Sequence, residues 1–154
     1  MILWRISNHL ELTGKGGLIA PGRWHTRGVP IVYLADSPTS ALLEFLVHLE
    51  ISERKVPETY TLLEIAVDDQ AAVHEIDPEI ADWRQNQNLT RGLGNAWLAA
   101  KETLLAKVPS AIAPRTWNFL LNPVHEANAQ SRIASVSQQR FDTRLFKFGS
   151  GRSS

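Results

Sequence analysis

The sequence contains no cysteine. That single absence removes disulfides, thiolate nucleophiles and zinc–sulfur sites from consideration. Charge of one sign is also lacking, because sixteen basic and sixteen acidic side chains cancel. A neutral balance argues against nucleic acid held by bulk electrostatics. No apolar run approaches the roughly 20 residues that a membrane-crossing helix needs. The opening "MILWRISNHLELTGKGG" lacks the basic start, apolar run and cleavage site of a secretory signal. The five histidines are scattered, with no H-E-x-x-H, so no metal is expected. The composition points to a soluble, cytoplasmic protein without nucleic-acid or membrane contacts of its own.

What is present fits one domain. At 154 residues the chain is long enough to bury a core without staples. "ILWRIS" (2–7) alternates and reads as a strand, and "PIVYLA" (30–35) is an apolar run of strand length. Between them, "TGKGGLIAPGR" (13–23) holds four of the nine glycines and a proline, which marks a loop. In "DSPTSALLEFLVHLE", Ser37 then Pro38 is a cap followed by proline at the first helical position. Leu42, Phe45, Leu46 and Leu49 then recur at helical spacing. "YTLLEIAV" (60–67) and "AVHEID" (72–77) read as strands, and "PEIADWRQN" as a short helical turn. The segment 89–108 begins as a helix, weakened by Gly92 and Gly94. "VPSAIAP", "NFLLNP" and "SRIASVSQ" read as short strands and turns, "FDTRLFKF" closes the chain, and 149–154 is expected to be a disordered tail. The class is mixed α/β (α+β): a single compact domain, 1–148, around a central mixed β-sheet.

Three side chains are out of character for a scaffold. Arg23 follows Gly22 in a loop, Tyr33 interrupts an apolar strand, and Glu44 rides a helix. If the four apolar positions of that helix face the core, Glu44 lies roughly 140° from their centre, beside His48 one turn on. That pair is either solvated or lines a cleft. A loop arginine is either solvated or a clamp for phosphate. Tyr33 is either a core tyrosine or a pocket wall. Arg5, in the first strand, faces solvent or makes a second phosphate contact. Ser110 and Asn118 lie in or beside turns, where such residues ordinarily bond their own backbone. Phosphate-binding glycine motifs are missing: "GLGNAW" sits inside a helical segment, and "GKGG" lacks a strand–helix context. Ser110 has no G-x-S-x-G surroundings.

In order, the blocks "WRI", "GGLIAPGRWHTRGVPIVYLADSPTSALLE", "YTLLEIAV", "GNAWL", "VPSAIAPRTWNFLLNPVHE" and "FDTRLF" are more informative than any one of them. From about Met1 to Phe146 the chain resembles the RES domain, the toxin half of RES–Xre toxin–antitoxin systems. The family is named for arginine, glutamate and serine, which match Arg23, Glu44 and Ser110. Tyr33 and Arg5 match as further pocket residues, and Asn118 and Asn122 fall in the "N-x-LLNP" block. One departure is His25, where asparagine is more usual.

The resemblance implies an ADP-ribosyltransferase-like fold and an enzyme that destroys NAD+ by hydrolysis or phosphorolysis. Arg23, Tyr33 and Glu44 would be catalytic, and Arg5, Arg23, Trp24, Tyr33, Ser110 and Asn118 would bind NAD+. Arg23 and Arg5 would neutralise the diphosphate, Trp24 and Tyr33 would stack beside the nicotinamide, and Ser110 would orient ribose or phosphate. No cofactor is implied; NAD+ is the substrate, joined by inorganic phosphate if the route is phosphorolysis. The implied partner is an Xre-family helix-turn-helix antitoxin, held in a hetero-oligomer. Two alternatives remain open: a mono-ADP-ribosyltransferase acting on a macromolecule, and an inert antitoxin-binding module.

Overall fold

A computed structural model describes residues 1–49 and 57–146. The tail 149–154 lies outside these residues. Among the described residues seven strands form one sheet: β1 (Ile2–Ile6), β2 (Val32–Ala35), β3 (Thr59–Val67), β4 (Val73–Glu75), β5 (Leu105–Pro109), β6 (Trp117–Leu121) and β7 (Ser131–Arg140). Their spatial order is β4-β5-β6-β2-β1-β3-β7. Only β4 and β5 run parallel; every other neighbouring pair is antiparallel. The sheet is therefore mixed, in agreement with the class read from the sequence.

Alternation along the strands sorts the core into two faces. Leu3, Val32, Leu34, Leu63, Ile65, Leu105 and Leu121 form one cluster. Their strand neighbours Ala106, Val108 and Leu120 belong to the other, with Trp24, Ile31, Trp83, Trp97 and Leu98. The second face carries α3 (Gln87–Ala100), whose Trp97 and Leu98 are buried there. It also carries α2 (Pro38–His48), whose Phe45 stacks on Phe141 at 6.0 Å while Phe141 tilts against Tyr60 of β3 at 4.7 Å.

Local chemistry accounts for the helix starts. Ser37 Oγ accepts from the Ser40 amide at 3.0 Å, with Pro38 inside the first turn. Asn86 Oδ1 accepts from the Leu89 amide at 3.1 Å, so α3 begins two residues before the point that hydrophobic spacing suggests. It ends at Ala100, capped by Lys101 in the left-handed region, and 105–109 continues as strand. One expectation fails outright: the glycine-rich segment 13–23 contains a short helix, α1 (Lys15–Ile19), after Gly14 with φ 74°. Gly94 has a steric reason to be glycine. A Cβ there would stand 1.7 Å from the Trp24 carbonyl oxygen, so α3 rests directly on the backbone of the 22–26 loop.

Candidate active site

Between α2 and the loop clamped by α3 lies a cleft of about 660 Å³, within the range of small-molecule sites, roughly 300–1,000 Å³. Its floor is the helix-bearing face of the sheet, including Trp4, Tyr33 and Asn118, and Arg23, Glu44 and Arg91 line its walls.

Glu44 reaches the cleft because Ala41, Glu44, Phe45 and His48 share one face of α2 at i, i+3, i+4 and i+7. The four leucine and phenylalanine positions read as the buried stripe are only partly covered, and Ala41 is the buried residue of this helix. Glu44 is not a solvated partner of His48. Its Oε1 accepts from Asn118 Nδ2 at 2.7 Å and from Ser110 Oγ at 3.2 Å. Both bonds fix the carboxyl group, and among the described residues Oε2 has no partner. The Asn118 amide must point its NH2 at the carboxylate; its buried Oδ1 finds no partner among the described residues.

Ser110 is 2% exposed and absent from the cleft lining. Its hydroxyl donates to Glu44 and accepts from the amides of Ile112 and Ala113. It therefore positions Glu44 instead of touching a ligand, which corrects the expectation that it orients ribose or phosphate.

Arg23 stands on the opposite wall. Its Nη1 donates to the Arg84 carbonyl at 2.9 Å, and its guanidinium lies 5.9 Å from the Trp83 ring, in the 3-10 turn Trp83–Gln85. Trp24 is 3% exposed and packs on Trp83 with ring centroids 5.9 Å apart. It belongs to the core cluster and also borders the cleft. Tyr33 lines the cleft with its hydroxyl turned inward, accepting from the Trp24 amide at 3.1 Å and meeting His25 Nδ1 at 2.7 Å. Burial raises the Tyr33 pKa well above its ordinary value, so the phenol stays protonated.

Arg5 lies on β1 at the cleft. β1 pairs Leu3 with Ile65 and Arg5 with Leu63, so alternation sends the Arg5 side chain to the face away from the helices. There Nη1 donates to the Glu11 carbonyl at 3.2 Å. Burial lowers its pKa and the nearby Glu11 opposes the shift. Arg5 is nonetheless among the residues that line the cleft. Asn122 is fully buried and donates to the Leu98 carbonyl at 3.0 Å, a structural task.

The sequence profile of the RES domain matches residues 2–144. The chain belongs to the RES domain family. Its relatives include "Toxin Res" of Pseudomonas putida, 47% identical over 95% of this chain and the whole of that protein. "Prs ADP-ribosylating toxin" of Sphingobium is 31% identical over 94% of this chain and 96% of its own length. A chain in the crystal structure of the M. tuberculosis MbcT–MbcA toxin–antitoxin complex shares the fold, with a TM-score of 0.70 at 18% identity over 95% of this chain and 86% of that one.

Within this RES domain, sequence reasoning overlooked Arg91. Its Nε donates to the Gly22 carbonyl at 2.8 Å and its Nη2 to Gln87 Oε1 at 2.9 Å. Beside it, Thr90 Oγ1 donates to the Arg23 carbonyl at 2.6 Å, and Asn95 exchanges bonds with Thr26. Gln87, Thr90, Arg91, Gly94 and Asn95 recur at i, i+3, i+4, i+7 and i+8. A helix started at Gln87 would have disclosed this polar stripe. Among the described residues no helix is long and apolar enough to cross a membrane, and no cluster of three His, Asp or Glu side chains is placed to hold a metal.

Proposed function

We propose that this RES-domain protein is the toxin of a toxin–antitoxin pair and that it depletes NAD+ in the cytoplasm by cleaving the bond between nicotinamide and ribose. The observation that carries this reading is the pinned Glu44, one oxygen satisfied and the other without a partner among the described residues, in one cleft with Arg23. Cleavage builds positive charge on the ribose. The open Oε2 would bond a ribose hydroxyl and stabilise that charge, and a carboxylate already fixed needs little reorganisation to do so. Arg23 would hold the diphosphate, and the Tyr33 face would wall the nicotinamide. Nicotinamide departs with the bonding electron pair, which neutralises its ring. Water or inorganic phosphate then adds to C1′ and loses a proton, and neither route calls for a cofactor. An Xre-type helix-turn-helix antitoxin is the partner that the family resemblance implies, and the fold shared with a chain of a toxin–antitoxin complex supports a protein partner.

The test is nicotinamide release from NAD+ by the purified protein, with and without phosphate. Glu44→Gln is expected to lower the rate by about 10²–10³-fold, the scale of a lost electrostatic stabiliser. Unchanged release in Glu44→Gln would sink this site. ADP-ribose as product means hydrolysis, and its 1″-phosphate means phosphorolysis. Transfer of ADP-ribose to a macromolecule is a second reading, favoured by the name of the Sphingobium relative. Adducts on protein seen by mass spectrometry, with little free ADP-ribose, would replace the first reading with the second.

A further inference from the structure

His25 is 3% exposed and has every hydrogen-bonding position filled. Its Nδ1 faces the Gly22 N–H at 3.2 Å and the Tyr33 hydroxyl at 2.7 Å, and its Nε2 faces the Ala20 carbonyl at 3.0 Å. A carbonyl oxygen can only accept, so the proton of the neutral ring sits on Nε2 and Nδ1 is bare, an acceptor that the Gly22 N–H shares with the His25 carbonyl at 3.2 Å. Tyr33 therefore donates its hydroxyl proton to Nδ1 and accepts from Trp24. The ring closes the small bridge between Gly22 and His25 that carries Arg23 at its tip.

The charged groups facing this ring leave it neutral. α3 presents Arg91, whose charge disfavours a second cation, and the loop itself presents Arg23. β2 presents Tyr33, and α1 approaches through Gly17, with its lysine, Lys15, exposed. Among the described residues no carboxylate forms an ion pair with His25. Burial pushes its pKa below the ordinary 6.5, and the backbone bonds to Ala20 and Gly17 oppose that shift without reversing it.

We propose that His25 is a positioning residue: its bare Nδ1 ties the Tyr33 hydroxyl to the Gly22 amide, so the aromatic wall and the Arg23 loop keep one arrangement only while the ring is neutral. For its activity assay the inference rests on the NAD+ reading. A second proton would place N–H on Nδ1 against two donors. Tyr33 can reverse and accept, but the Gly22 N–H cannot; it keeps its bond to the His25 carbonyl at 3.2 Å and loses the one to the ring, so the bridge loosens. Because the folded pKa lies below the unfolded one, this contribution is complete above pH 6.5 and is lost as pH falls through the folded value.

Two substitutions separate the ring's two edges. His25→Asn puts an amide oxygen near the place of Nδ1 and does not titrate. His25→Gln reaches the place of Nε2 and gives up the Nδ1 acceptor. In kcat/KM for NAD+ cleavage between about pH 5 and 8, the wild type should show an acid limb below neutrality. His25→Asn should keep most of the neutral-pH rate and lack that limb. His25→Gln should lose roughly tenfold or more, one bond's worth. A His25→Gln variant equal to wild type, or an acid limb that persists in His25→Asn, overturns the inference.

The 15N–1H spectrum of the wild-type imidazole decides independently of folding in the variants and of any activity. An Nε2–H tautomer is required, and an Nδ1–H tautomer rules the arrangement out. If the wild type releases no nicotinamide, the NAD+ reading fails on its own while this spectrum still judges His25.

Discussion

Asn118 donates to Glu44 at 2.7 Å across 74 residues of sequence, joining the start of an inner strand to a helix face. Ser110 adds a second bond to the same oxygen from the turn after β5. The helix alone leaves a glutamate several rotamers; these two donors select one of them.

Loss of either donor should therefore act through the carboxylate. A hydrogen bond to a charged group contributes about 1.5–3 kcal/mol, equivalent to roughly a ten- to hundredfold change in rate. Ser110→Ala and Asn118→Ala should each reduce kcat/KM for nicotinamide release within that span. In a Glu44→Gln background the same changes should cost far less, because the group they hold is already altered. Full additivity in that cycle would show that Ser110 and Asn118 do not work through Glu44.

Arg91 holds the Gly22 carbonyl from the helix side while also bonding Gln87. A lysine has one ammonium where the guanidinium has a planar fork, so Arg91→Lys cannot keep both contacts in place. Steady-state assays should show roughly a tenfold or larger fall in kcat/KM, with unchanged helical circular dichroism. Gln87→Ala, which removes only the exposed contact, should be much milder. Equal losses in the two variants would mean that the Gly22 bond has no special part in shaping the site.

Two glycines of α3 should respond oppositely to alanine. At Gly92 a Cβ meets nothing within 4 Å, so helix propensity favours alanine by up to about 1 kcal/mol. At Gly94 the added carbon strikes the carbonyl of Trp24, backbone that has no rotamer in which to escape. Overpacking of this kind costs about 1–3 kcal/mol, and the melting temperature should fall by several degrees. Differential scanning calorimetry on both variants is the check. A Gly94→Ala protein as stable as wild type would mean that α3 does not rest on the loop as described.

The sequence discloses some of this architecture and hides the rest for identifiable reasons. The Ser37–Pro38 start and the apolar strands were legible because their signals are local. The direction of Glu44 was only half legible. Helical spacing turned it away from the leucines, but sheet order alone makes that side a cleft. Arg5 was half legible for a related reason: a basic residue in a strand can point to either face, and its pairing with Leu63 settles which. Trp24 looked available because it neighbours Arg23, yet it is buried against Trp83, a contact spanning 59 residues. Arg91 was missed because the cap at Asn86 carries no apolar signal. His25 drew notice as a departure from the family pattern, and its hydrogen bonds explain why an imidazole fits there.

The place of β6 in the sheet has a consequence for biosynthesis. It fills the gap between β5 and β2, and its Asn118 is made long after Glu44. A nascent chain that stops short of Asn118 has neither the middle of the sheet nor the second clasp on the acidic group. Assembly of the grip on Glu44 thus waits on the later part of the polypeptide, which carries both of its donors.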